Sequence, residues 1–298
     1  DTGSSDNTIK KLQTKGAKVA QKIINPWRFD VARNESLKLV PADTDICVCT
    51  DLDEVFEKGW RNKLESSWNA NTRQLRYKYV WNVLENNEDG ITFLYEKIHA
   101  LKGFKWVYPV HEVLDSNPKI SLSEVAENKD IVLRHFPDPE KSRGQYLALL
   151  ELSVKEDPTS DRNTHYLARE YMFKGKFEEA IKTFKKHLKL KTAIWREERS
   201  ASLRYIGDCY LNLGRKSTAK KYYNLAIQES FNTREGYLAL AKLQYNNLEF
   251  LNCIFTITSM LQITQKNLSY ITNPDCWNGL PHDMLAYCFF KIGLIDKA

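Results

Sequence analysis

The two halves of the chain pattern their apolar residues differently. In the first half, Ile46-Cys47-Val48-Cys49-Thr50 is a short run of small and apolar side chains, which predicts a strand buried on both faces. Residues 75–84 and 91–100 predict two antiparallel strands joined by the turn-rich Asn86-Asn87-Glu88-Asp89-Gly90. A last strand is expected over 131–136, stopped by Pro137-Asp138-Pro139. Amphipathic stretches predict helices from Ile9 to about Ala20, from Val31 to Leu39 and from Gly59 to Trp68. From about Lys141 the apolar period becomes helical and stays so.

This helical half repeats itself. Ala168, Gly207, Ala241 and Ala286 take one small-residue position at spacings of 39, 34 and 45 residues. Tyr171, Gly175, Ala180 and Phe184 follow in the first copy, and Tyr210, Gly214, Ala219 and Tyr223 in the second. The third copy is degenerate, with Gln244, Leu248, Cys253 and Ile257; the fourth keeps Phe289, Gly293 and Ala298. A period near 34 with small residues at the helix contact is similar to the tetratricopeptide repeat (TPR), lengthened in its connections. An all-α TPR solenoid over 161–298 is expected, its last repeat cut short, behind a linker helix over 140–160 and an α/β domain over 1–139.

Composition narrows the class. The 298 residues are 42% hydrophobic and 28% charged, enough for about two domains, and the apolar runs are too short to span a bilayer. A net charge of +6, with Lys and Arg scattered, can help hold anionic substrates but carries no nucleic-acid signature, so no nucleic-acid partner is expected. Cys47, Cys49, Cys209, Cys253, Cys276 and Cys288 lack zinc or disulfide spacing and read as reduced core thiols, which points to a cytoplasmic protein. Residue 1 lies inside a loop motif and Ala298 inside a helical pattern, so a longer parent with one or two further upstream strands is expected.

The candidate chemistry gathers at strand ends. Asp51, Asp53 and Glu54 follow the Ile46–Thr50 run, where open α/β sheets place ligands. On an extended backbone Asp51 and Asp53 point the same way and can share a hard divalent cation; acids at such a junction also serve as turn or cap residues. Asp1, Gly3, Ser4 and Asp6 form a Gly/Ser turn before a helix, either a nucleotide-binding corner or a capped turn. Arg33 suits a diphosphate or an active-site carboxylate, and equally a helix surface. His111-Glu112 offers a general base, and His135, at a strand end, a metal ligand or an ordinary hydrogen-bonded histidine.

Three of these motifs, in this order, resemble family 2 glycosyltransferases of the Rossmann-like GT-A fold over residues 1–136. Asp1-x-Gly3-Ser4-x-Asp6-x-Thr8 is similar to the family's nucleotide loop, Ala32-Arg33-Asn34 to its Ala-Arg-Asn segment, and Asp51-Leu52-Asp53 to its Asp-x-Asp motif. The resemblance implies an α/β domain N-terminally truncated here. It implies Mn²⁺ or Mg²⁺ held by Asp51, Asp53 and His135, and a nucleotide-sugar donor, a UDP-sugar first, on Asp1, Gly3, Ser4, Asp6, Arg33, Asn34, Asp51 and Leu52. Glu112, or His111 beside it, would be catalytic in place of the family's Glu-Asp pair. A family 2 domain followed by repeats is similar to bacterial peptide- and protein-modifying glycosyltransferases. The expected function is therefore inverting sugar transfer to a peptide or protein side chain, with the repeats holding the acceptor or pairing two chains. The alternatives are transfer to a lipid-linked or surface polysaccharide, and an inactive TPR scaffold.

Overall fold

In the structure, a computed structural model, residues 1–84, 88–138 and 144–297 are described. The expected turn residues Asn86 and Asn87, the domain boundary at 139–140 and Ala298 lie outside them. Contacts divide the chain into two compact units: Asp1–Asp51, Arg61–Arg76 and Glu96–Asn128 in the first, and Leu52–Trp60, Tyr77–Tyr95 and Lys129–Ala298 in the second.

The elements before residue 140 are α1 (Thr8–Thr14), α2 (Phe29–Leu37), β1 (Ile46–Val48), β2 (Glu54–Phe56), α3 (Trp60–Ser67), β3 (Gln74–Val80), β4 (Thr92–Ala100), β5 (Phe104–Val107), β6 (Val113–Ser116) and β7 (Val125–His135). Five strands form one sheet in the order β1-β4-β3-β7-β2, and β5 and β6 form a two-stranded ribbon. β1 pairs antiparallel with β4, Cys47 opposite His99, and β2 pairs antiparallel with β7, Glu54 opposite His135.

Three expectations are corrected. β1 is an edge strand in which Cys47 is buried and Ile46 and Val48 only half-buried, not a strand enclosed on both faces. An all-apolar run satisfies an edge and a centre equally well, so the pattern could not separate them. α1 stops at Thr14 rather than near Ala20, because Gly16 turns into the left-handed region at φ +83°. The Gly16 and Ala17 amides then bond back to Gln13 and Leu12, closing the last turn. The backbone also turns at Leu52 and Asp53 instead of running extended through the acidic triplet.

The second unit carries the helices α4 (Tyr146–Glu156), α5 (Asp161–Phe173), α6 (Phe177–His187), α7 (Arg196–Asn212), α8 (Lys216–Glu229), α9 (Arg234–Asn246), α10 (Phe250–Leu261) and α11 (Leu280–Lys291). They pair as the sequence repeats require. Ala168, Ala180 and Phe184 are fully buried where α5 meets α6, and Ala219 and Tyr223 where α7 meets α8. In the degenerate third pair, Ala241, Cys253 and Ile257 are completely enclosed, so a thiol fills a place held by alanine elsewhere. Gly175, Gly214 and Gly293 end their helices at φ between +72° and +81°; Leu248 does the same work at +60°, a strain of order 1 kcal/mol for a residue with a Cβ. Ala286 of the fourth copy is only half-buried.

All six cysteines are free. Burial raises every thiol above its ordinary range: Cys49 to about 11, Cys209 and Cys253 to about 12, and Cys47, Cys276 and Cys288 in the same direction. The reactive thiolate is thus scarce in the native chain. At pH 8 native protein is expected to resist iodoacetamide at all six positions, whereas urea-unfolded protein takes up six equivalents; intact mass spectrometry reads both. Gly207 provides a second test. A Cβ there would lie 2.5 Å from a carbon of the Tyr223 ring. Gly207→Ala gains helix propensity of up to about 1 kcal/mol but overpacks a rigid aromatic. A net loss of about 1–2 kcal/mol is expected in urea denaturation.

Candidate functional site

Arg33 is the hub of the first unit. It sits on α2, one turn after Asp30, whose buried carboxylate accepts from Arg28 Nε at 3.0 Å and Nη2 at 2.8 Å and from the Val31 amide at 2.9 Å. That fixes the start of the helix, and the Phe29 amide fastens it to the Pro109 carbonyl at 2.9 Å. Arg33 Nη2 then reaches both oxygens of Asp51, at 2.9 and 3.0 Å, while Nε donates to Glu112 Oε1. The guanidinium lies 4.8 Å from the centre of the Trp106 ring, adding a cation–π contact.

Lys97, almost wholly buried on β4, brings a second cation to Asp51, with Nζ 3.0 Å from Oδ2. Two cations thus meet two carboxylates. Burial alone would raise the Asp51 carboxyl, but Arg33 and Lys97 outweigh it and hold the pKa below the ordinary range. Asp51 thus pairs with two cations of the chain, Arg33 and Lys97. Lys97 escaped the sequence reading, because it sits beside Glu96 and His99 in a strand of mixed polarity and nothing local sets it apart.

Asn34 clamps β5: its Nδ2 donates to the Trp106 carbonyl at 2.8 Å and its Oδ1 accepts the Trp106 amide at 2.9 Å. Beyond β5, Tyr108 and His111 adopt φ of 80° and 51°, a concentration of strain next to Glu112 that is common at functional sites. Asp1 accepts from the Gly3 and Ser4 amides, both at 3.0 Å, and from Ser4 Oγ at 2.5 Å; Asp6 accepts from the Thr8 amide at 2.9 Å. This is a capped turn, with Gly3, Ser4 and Asp6 exposed. Leu52 is 82% exposed.

Asp53 and His135 come together in the second unit. The Phe136 amide bonds to the Asp53 carbonyl at 2.8 Å, extending the β2–β7 ladder so that the two side chains face. His135 Nδ1 lies 2.9 Å from the Trp81 carbonyl and, since a carbonyl only accepts, carries the hydrogen. Nε2 faces Asp53 Oδ2 across 3.5 Å, a lone pair when the ring is neutral and an N–H when it is charged. Two acceptors face to face need a proton or a metal ion between them, and this spacing suits two ligands of one ion with bonds of about 2.1 Å. The residues fit a divalent cation. Glu54, next along, is committed elsewhere: it accepts from the Tyr79 hydroxyl at 2.9 Å, and burial together with that carboxylate pushes the phenol's pKa up.

Comparisons with known proteins identify the helical half. Residues 166–193 and 206–233 match the tetratricopeptide repeat family model, over α5–α6 and α7–α8. A search of curated proteins gave no match. Among solved structures the chain is similar to a MamA protein at 18% identity, with 51% of this chain and 74% of that one covered and a TM-score of 0.39. It is similar also to the Cut9–Hcn1 hetero-tetramer of APC/C at 16% identity, 51% and 27% coverage and a TM-score of 0.41. YrrB, titled a TPR protein with an unusual peptide-binding site, aligns at 14% identity, 51% and 71% coverage and 0.37. The family match supports an all-helical TPR-like region, and the comparisons add nothing to the glycosyltransferase resemblance of the first half. Among the described residues no helix is long and apolar enough to cross a membrane.

Arg33 and Glu112 have side chains only 17% and 9% exposed. Removing one member of such a pair leaves an uncompensated buried charge. Arg33→Met is therefore expected to lower unfolding free energy by about 3–5 kcal/mol. Adding Glu112→Gln should recover part of the loss in guanidinium titrations.

Proposed function

We propose that this chain transfers a sugar from a nucleotide-diphosphate donor to a side chain of a polypeptide held on its helical repeats. The observation that carries the reading is the approach of His135 Nε2 to the Asp53 carboxylate at 3.5 Å. Mn²⁺ or Mg²⁺ held there would neutralise the charge that builds on the departing diphosphate. The acceptor's oxygen, sulfur or nitrogen attacks the anomeric carbon as the carbon–oxygen bond to the diphosphate breaks. Glu112 takes the acceptor's proton, and the configuration inverts without a covalent enzyme intermediate. The strained His111 backbone positions Glu112. Stacked helix pairs supply a surface suited to an extended peptide.

A second reading, a non-catalytic TPR scaffold, has its own support. The family match lies wholly within the repeats, and Asp51 and Glu112 are already balanced by Arg33 and Lys97 inside the chain. Calorimetric titration with UDP, with and without Mn²⁺, separates the two. The transferase reading expects metal-dependent binding that weakens at least tenfold in Asp53→Ala. Absence of binding for UDP, GDP and CDP with metal present would leave the scaffold.

A further inference from the structure

The repeats bury a second, unrelated constellation. His165 lies on α5, His187 ends α6 and Glu198 lies in the first turn of α7, with exposures of 0%, 0% and 5%. One ligand atom from each falls within 4.8 Å of the others. His187 Nε2 is 3.2 Å from Glu198 Oε1, and the two imidazole rings meet edge to face at 5.2 Å. Around them stand two orienting hydroxyls. Ser202, one turn beyond Glu198, places Oγ 2.8 Å from His165 Nδ1 and 2.9 Å from His187 Nδ1, and Tyr270 donates to Glu198 Oε2.

The hydrogens can be placed through Ser202. His187 Nε2–H donates to Glu198 Oε1, the Ser202 hydroxyl donates to His187 Nδ1, and its oxygen accepts from His165 Nδ1–H. That leaves His165 Nε2 a lone pair, buried and with no hydrogen-bond partner among the described residues. A buried acceptor without a partner has given up water and gained nothing in return. The surroundings offer it no simple remedy, being the rings of Phe184, Tyr205 and Tyr270.

We propose that His165, His187 and Glu198 form a buried site for a divalent metal of the zinc class, clamping α5, α6 and α7 together. Two imidazoles and one carboxylate are a recurrent zinc ligand set, and a hydroxyl holding the far nitrogen of each ring is the outer shell such sites require. Bonds of about 2.0–2.1 Å place tetrahedral ligand atoms ~3.4 Å apart, so His187 and Glu198 already comply and His165 closes by ~1.4 Å at most. Two imidazoles and a single carboxylate favour a borderline metal over a hard cation, against the positive charge that the Arg169 guanidinium, 5.7 Å from the centre of the Tyr270 ring, brings to the neighbourhood. This proposal stands apart from the Asp53–His135 pair.

The test uses the full chain carrying Asp53→Ala, stripped with chelator, so that the pair in the first half contributes nothing. Titration with Zn²⁺ by calorimetry, and with Co²⁺ by visible absorption, is expected to show one tight equivalent with the intense bands of tetrahedral cobalt. Zinc should raise the melting temperature. His165→Phe keeps the bulk of the ring and should abolish both that equivalent and the thermal shift. Ser202→Ala, a milder change read in the same way should His165→Phe fail to fold, should bind about 10–100-fold more weakly. Absence of zinc binding, or equal stoichiometry and affinity in parent and both variants, would overturn the proposal and leave the trio a hydrogen-bonded core cluster.

Discussion

An ion taken out of water must meet its counter-charge inside the protein, and in the first unit Arg33 discharges that requirement for two carboxylates at once. Asp51 ends the segment after β1 and Glu112 follows β5, so a single guanidinium ties both to α2. Asn34, one residue along, grips the main chain of Trp106 in the same turn of helix. One turn of α2 therefore fixes two stretches of chain far from it in sequence, one at Asp51 and one from Trp106 to Glu112. The pairing works because it closes: Lys97 supplies the second positive charge that Asp51 and Glu112 together demand.

The acidic triplet after β1 shows how a local turn assigns chemistry. With the backbone bent at Leu52 and Asp53, neighbouring acids take different partners. Asp51 turns to Arg33 and Lys97, Asp53 to His135, and Glu54 to the Tyr79 hydroxyl. Only Asp53 meets a partner, the His135 ring, whose contacting atom can equally hold a proton or a metal ion. The same distinction, between a group already answered and one left asking, singles out His165 within the repeats.

How much of this was legible in the sequence depended on the range of the interaction that decides each feature. The repeats were readable because Ala168, Gly207 and Ala241 recur at the helix contacts themselves, and every copy rewrites the same short-range requirement. Strands β3 and β4 followed from the turn-rich segment between them, and the apolar end of β7 from the run after Asp130; the half-exposed start of β7 at Val125 gave no such run. The pairing of Asp53 with His135 was reached through the order of motifs. By contrast, the roles of Arg33, Asn34 and Lys97 depend on partners 18 to 79 residues away, and nothing in their neighbours reports those partners. The helix pattern up to Ala20 misled because one left-handed glycine overrides periodicity. The edge position of β1 was invisible because apolar composition does not record what lies beyond a strand.

The contact between Gly207 and Tyr223 carries a consequence for how such a repeat can change over time. Its phenol also bonds to Asp208 at 2.8 Å, so the ring is drawn onto the helix that carries the glycine. The first repeat solves the same junction with Ala168 and Phe184, a ring without the hydroxyl. Position 207 is thus not free to drift toward alanine alone: the route passes through a reshaped side chain at 223, and the two positions are bound to move as one inheritance unit.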